Sequence, residues 1–128
     1  METIQQTKTF EVNQICEMGW GCPRRYDFFI VTRISKSNVW LMRIDDNKID
    51  DDYGRTWGFQ KYHSLPSFAV IEGKNVPMTN QGCPIFGRSE FRKKIYTSNS
   101  DGCQYAYEKY MGIIRPWDGE VKSNDHMD

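Results

Sequence analysis

The chain has no surplus of either charge: seventeen Lys and Arg meet seventeen Asp and Glu across 128 residues. That balance argues against a protein that coats nucleic acid or an anionic membrane by bulk charge, so any such contact has to come from a local patch. Long apolar runs are missing too, none approaching the roughly 20 residues of a membrane span. The start, METIQQTKTFEV, lacks the basic stretch and apolar core of a signal peptide. A reducing compartment is therefore expected, with Cys16, Cys22, Cys83 and Cys103 as thiols rather than disulfides.

Catalytic signatures are equally sparse. Only His63 and His126 could act as a base for a cysteine nucleophile, and His126 lies close to the C-terminus. Gly73-Lys74 is followed by Asn75 with no glycine-rich run before it, which excludes a phosphate loop. The H-x-E and P-C-x-x-C pair of zinc deaminases is absent. Asp50, Asp51 and Asp52 are consecutive, so their carboxylates splay apart instead of facing one another, and the surrounding DDNKIDDD lacks the glycine of a calcium loop. A non-enzymatic protein without a cofactor is the expectation.

What the chain does have is aromatic residues, four Trp, seven Tyr and seven Phe, enough to give a small β-rich domain a real core. Thr7 to Ile15 reads as a first strand and Glu17 to Arg25 as turn material containing Gly19, Gly21 and Pro23. Tyr26 to Ser35 is the clearest strand. Strict alternation puts Phe28, Ile30, Thr32 and Ile34 on one face and Phe29, Val31 and Arg33 on the other. The polar turn Ser35-Lys36-Ser37-Asn38 then returns the chain into Val39 to Ile44, completing a hairpin. Residues 45–88 show no clear period apart from Phe68 to Ile71 and read as a long irregular insertion. Glu90 to Thr97 reads as an edge strand guarded by lysines. Cys103 to Ile114 fits strand or helix spacing, with strand preferred. The expected object is one domain over residues 1–120, mainly β, built as a partly open antiparallel barrel, followed by a polar tail at 121–128.

Trp20-Gly21, Tyr26-Asp27-Phe28, Val31-Thr32-Arg33-Ile34-Ser35-Lys36-Ser37 with Val39, and the late Tyr110 and Trp117-Asp118-Gly119 form a pattern. It resembles a loose group of small domains of tailed phages and large DNA viruses that share a WGY…FY.V…TK..V hairpin and a closing Y…WDG. The resemblance implies a small, strongly bent SH3-like barrel of viral or mobile-element origin, found inside the host cell, in cytoplasm or nucleus, or in the virion. It brings no activity with it. Where those domains continue with a Tyr-Asp-Gln-Thr-Asn-like turn, this chain has Cys22-Pro23-Arg24-Arg25.

Three kinds of binding remain. A protein partner, from the host or the virion, is the first expectation, because Trp, Tyr and Arg dominate interface hot spots. A nucleic-acid partner is the alternative, with Arg24, Arg25, Arg33, Arg43, Arg92, Lys93 and Lys94 as the basic surface and Trp40 and Trp57 among the stacking faces. Zinc held by Cys16, Cys22, Cys83 and Cys103 is the second alternative, suggested by the repeated Gly-Cys-Pro although the spacings are wider than in ordinary zinc modules. The oligomeric state is open.

Overall fold

The computed structural model describes residues 8–20, 25–50, 59–108, 112–120 and 122–127. Every regular element among them is a strand. Seven strands form one antiparallel sheet: β1 (Ile15–Trp20), β2 (Arg25–Ile34), β3 (Asn38–Ile44), β8 (Glu90–Lys94), β9 (Tyr96–Thr97), β10 (Gln104–Glu108) and β11 (Gly112–Pro116). Their order is β8-β3-β2-β1-β11-β10-β9. The two edge strands are consecutive in the chain, separated only by Ile95, so the sheet curls until its edges meet. Ladder hydrogen bonds do not seal the junction of β8 with β10; a 2.9 Å ion pair between Lys93 and Glu108 crosses it instead. The expected mainly β, partly open barrel is what the chain forms.

Alternation fills the interior. Cys16 and Met18 of β1, Phe29 and Val31 of β2, Val39 and Leu41 of β3, Ala106 of β10 and Ile114 of β11 point inward and are buried. Phe10 plugs the cluster from outside any strand, its amide held 2.8 Å from Oε1 of Gln104. The first strand thus begins at Ile15, not Thr7. Asn13 takes a left-handed φ of 72°, ending extended structure just before β1. The residues 17–20, expected to turn, lie within β1. Gly19 has a steric role there, because a Cβ would come 3.0 Å from the Tyr26 ring that crosses it.

Strict alternation fails once in β2. The register against β3 slips between Val31 and Arg33, leaving Thr32 as the extra residue of a bulge. The Thr32 hydroxyl oxygen lies 3.3 Å from the Trp40 carbonyl and donates its one proton to Glu90 of β8. The slip turns Ile34 onto the interior face with Val31, opposite Val39, and leaves Arg33 outside opposite Trp40. The face predicted from alternation is therefore wrong beyond Val31.

A second layer covers part of the outer face. Residues 45–88, expected to be irregular apart from the strand fragment Phe68 to Ile71, hold four strands: β4 (Asp46–Asp50), β5 (Phe59–Pro66), β6 (Phe68–Ile71), which is that fragment, and β7 (Lys74–Pro77). Residues 122–127, expected to trail as a tail, form β12 (Lys122–Met127) against β5, and the small second sheet runs β12-β5-β4. The hairpin β6-β7 is tied to the barrel by Asn13 and Asn75, which exchange three hydrogen bonds of 2.7 to 2.9 Å. Beneath this layer Ile15, Phe28, Ile30, Met42, Ile44 and Ile85 make a second core, flanked by Tyr26, Phe68 and Trp117. Trp117 closes its edge, 5.9 Å from the Phe68 ring, with its indole N–H donated to the Glu120 carbonyl across a turn whose Gly119 has φ 85°.

Candidate functional site

The outer barrel face divides into two halves. On the covered half a carboxylate replaces an apolar side chain at Glu17, which is 1 % exposed between Phe28 and Arg115 on the flanking strands. Nζ of Lys122 stands 2.9 Å from its Oε2 without hydrogen-bond alignment, and Arg115 lies 3.6 Å from Oε1. Lys122 also donates to Asp118 at 2.6 Å. Burial alone would lower the Lys122 ammonium, but its contacts with the Asp118 and Glu17 carboxylates outweigh burial and hold it above its ordinary value. Burial acts upward on Asp118, and is outweighed by the hydrogen bonds from Lys122 and the Glu120 amide, which keep its carboxyl below the usual range. This group fastens β12 to the barrel.

The open half carries a different chemistry. Arg33, Trp40 and Arg92 lie in one cross-strand row over β2, β3 and β8, and the Arg33 guanidinium sits 4.4 Å from the Trp40 ring centre. Two residues further along β8, on the same outward face, Lys94 places its ammonium 5.3 Å from the Tyr96 ring. Tyr96 begins a cluster on the far side of the seam: it stacks on Tyr105 at 5.7 Å and meets Tyr107 edge-on at 5.4 Å, while Tyr105 and Tyr107 are 5.5 Å apart. Desolvation, then Tyr107 and Tyr96, raise the Tyr105 hydroxyl above its ordinary value. Tyr107 is 50 % exposed, and Ile113, its partner on β11, is exposed beside it. Basic and aromatic side chains thus alternate along one continuous band.

The basic residues picked out from sequence do not all belong to it. Arg33, Trp40, Arg92 and Lys94 come together. Arg43 bonds Asp27 at 3.1 Å near the end of β3, on the interior parity, and Lys93 is committed to Glu108 across the seam. Arg24 and Trp57 lie outside the described residues, as does the side chain of Arg25. Tyr105, Tyr107 and Ile113 were missed, although the i, i+2 spacing of the two tyrosines was the signal that could have found them. Of the cysteines, Cys16 is in the barrel core, where burial and then the Glu17 charge push its thiol far above the ordinary range. Cys83 is in an exposed turn, Cys103 is half-buried before β10, and Cys22 is outside the described residues. Among the described residues no group of three or more His, Cys, Asp or Glu side chains is placed to hold a metal ion. No described helix is long and apolar enough to cross a membrane.

Comparison with family models, with curated proteins and with solved structures finds no match.

Proposed function

We propose that the protein is a non-enzymatic binding module whose working surface is the open half of the barrel's outer face. The observation that carries the reading is the cluster of exposed Tyr96 and Tyr107 with half-buried Tyr105, continuous with the Arg33, Trp40 and Arg92 row. Tyr, Trp and Arg supply large contact area at low entropic cost, and they dominate interface hot spots. A convex sheet surface offers no enclosure for a small molecule, which favours a macromolecular partner. A viral accessory or minor virion role on an SH3-like barrel belongs to the same proposal, supported by the β2-β3 hairpin motif and the Trp117-Asp118-Gly119 turn.

A photo-crosslinking residue placed at position 107 tests the reading, with the same residue at Val70, an exposed position on β6, as the reference. Macromolecular adducts formed in the producing cell are expected at 107 and not at 70. Adducts at 70 alone would move the working surface to the β6-β7 hairpin and defeat the proposal.

A further inference from the structure

The open face contains its own discriminator, which is the pairing of its cations. Elsewhere on the barrel five of the described basic side chains have closed on carboxylates: Arg43 on Asp27, Arg88 on Asp45, Lys93 on Glu108, and Arg115 and Lys122 on Glu17. Among the described residues Arg33, Arg92 and Lys94 form no ion pair, and all three are exposed on the band that carries Trp40 and the tyrosines. Lys36 adds a fourth exposed cation in the β2-β3 turn, next to the Ser37 carbonyl that receives the Ile95 amide at 2.9 Å. The acidic residue on this stretch, Glu90, accepts a hydrogen bond from Thr32 and keeps its negative charge, so that against Arg33, Lys36, Arg92 and Lys94 the band still carries a positive excess. Among the described residues, unpaired positive charge is therefore concentrated on this band, interleaved with exposed rings, in a protein with no net charge.

We infer that this band binds single-stranded nucleic acid, with Arg33, Arg92 and Lys94 on successive phosphates and Tyr96 and Tyr107 as faces for unpaired bases. The inference rests on the open face being the working surface and names its partner class. Anionic backbone and planar bases are the two chemistries the band offers to meet at once, and single strands present both, whereas a duplex hides its base faces. An acidic protein segment would satisfy the cations and leave the tyrosine cluster without a planar counterpart.

The test is a fluorescence-anisotropy titration of the full chain with a thymidine oligonucleotide of about 20 nucleotides and with its duplex. If the three unpaired cations neutralise three phosphates, the logarithm of affinity falls with that of salt with a slope of about −2, so raising salt fourfold weakens binding about 20-fold. Arg92→Ala with Lys94→Ala is expected to remove at least about tenfold of affinity and to flatten the slope by about 1.4, and Tyr107→Ala to weaken binding severalfold with the slope unchanged. Lys74→Ala, an exposed cation on the β6-β7 hairpin, is expected to change neither. Should the double variant lose its far-ultraviolet spectrum, Lys94→Gln alone carries the charge test, with a slope change of about 0.7. No binding at low salt, equal preference for duplex, or equal losses from Lys74→Ala would overturn the inference. A protein adduct at position 107 in the absence of oligonucleotide binding would leave the open face as the working surface and exchange its partner.

Discussion

The two halves of the barrel's outer face are built on the same strands and do opposite things. On β2 and β3, Phe28, Ile30, Met42 and Ile44 lie under the second layer, while Arg33 and Trp40, a few residues on, face outward beyond it. The boundary is the bulge at Thr32, which turns Ile34 inward and Arg33 outward where strict alternation would have done the reverse. Where the layer reaches, the one charged side chain of β1, Glu17, is matched by Lys122 and Arg115. Where it does not, charge is left unmatched beside exposed rings. A buried charge without a partner costs several kcal/mol and an exposed one almost nothing, so unpaired cations can persist only where they stay exposed, as they do on the open half.

Changes on the covered half are expected to be costly. Phe28→Ala removes a 1 % exposed ring from between the barrel and its covering layer and is expected to lose about 3 to 5 kcal/mol, read from urea unfolding. A loss near zero would mean that the second layer does not pack on β2. Lys122→Met comes next. It strands the buried Glu17 carboxylate with Arg115 alone, and about 3 kcal/mol is expected, part of it recovered by adding Glu17→Gln. The same group fixes a pH profile. Lys122, whose value is raised in the folded chain, contributes fully below its unfolded value of about 10.4 and loses that contribution as pH rises through the folded value. Asp118, whose value is depressed, contributes fully above about 3.9 and loses it as pH falls through the folded value. The melting temperature should therefore hold a plateau between these limits, and Lys122→Met should remove the alkaline shoulder. On the open half, Arg33→Ala should stay within about 0.5 kcal/mol of the parent protein, since its contact with Trp40 is exposed and no ion pair is lost. A larger loss would show that the row holds the fold and would blur the contrast.

The sequence made the barrel legible where period-two alternation is strong and both flanks are turns, as at Tyr26 to Ile44, and it carried the strand reading of 104–116. It misled where a single residue breaks the period. The Thr32 bulge carries no compositional mark, because threonine suits a regular strand equally well. The second layer was hidden for another reason: β4, β5 and β12 carry no clear apolar period, β5 and β12 pair at long range, and β12 is anchored by a lysine whose partners, Glu17 and Asp118, are set by the tertiary fold. Arg33, Trp40, Arg92 and Lys94 were visible as residue types. Their separation from Lys93 was not, since its carboxylate, Glu108, comes within reach only when the barrel closes, and Arg43 is drawn off by Asp27 across the hairpin.

The most direct test of that division is an amide and side-chain NMR titration of the isotope-labelled chain with the thymidine oligonucleotide. Shifts are expected to gather on Arg33, the Trp40 indole, Arg92, Lys94, Tyr96 and Tyr107, with Glu17, Phe28 and Ile30 unmoved. Shifts centred on Glu17 and Lys122, or spread evenly over both halves, would contradict that division.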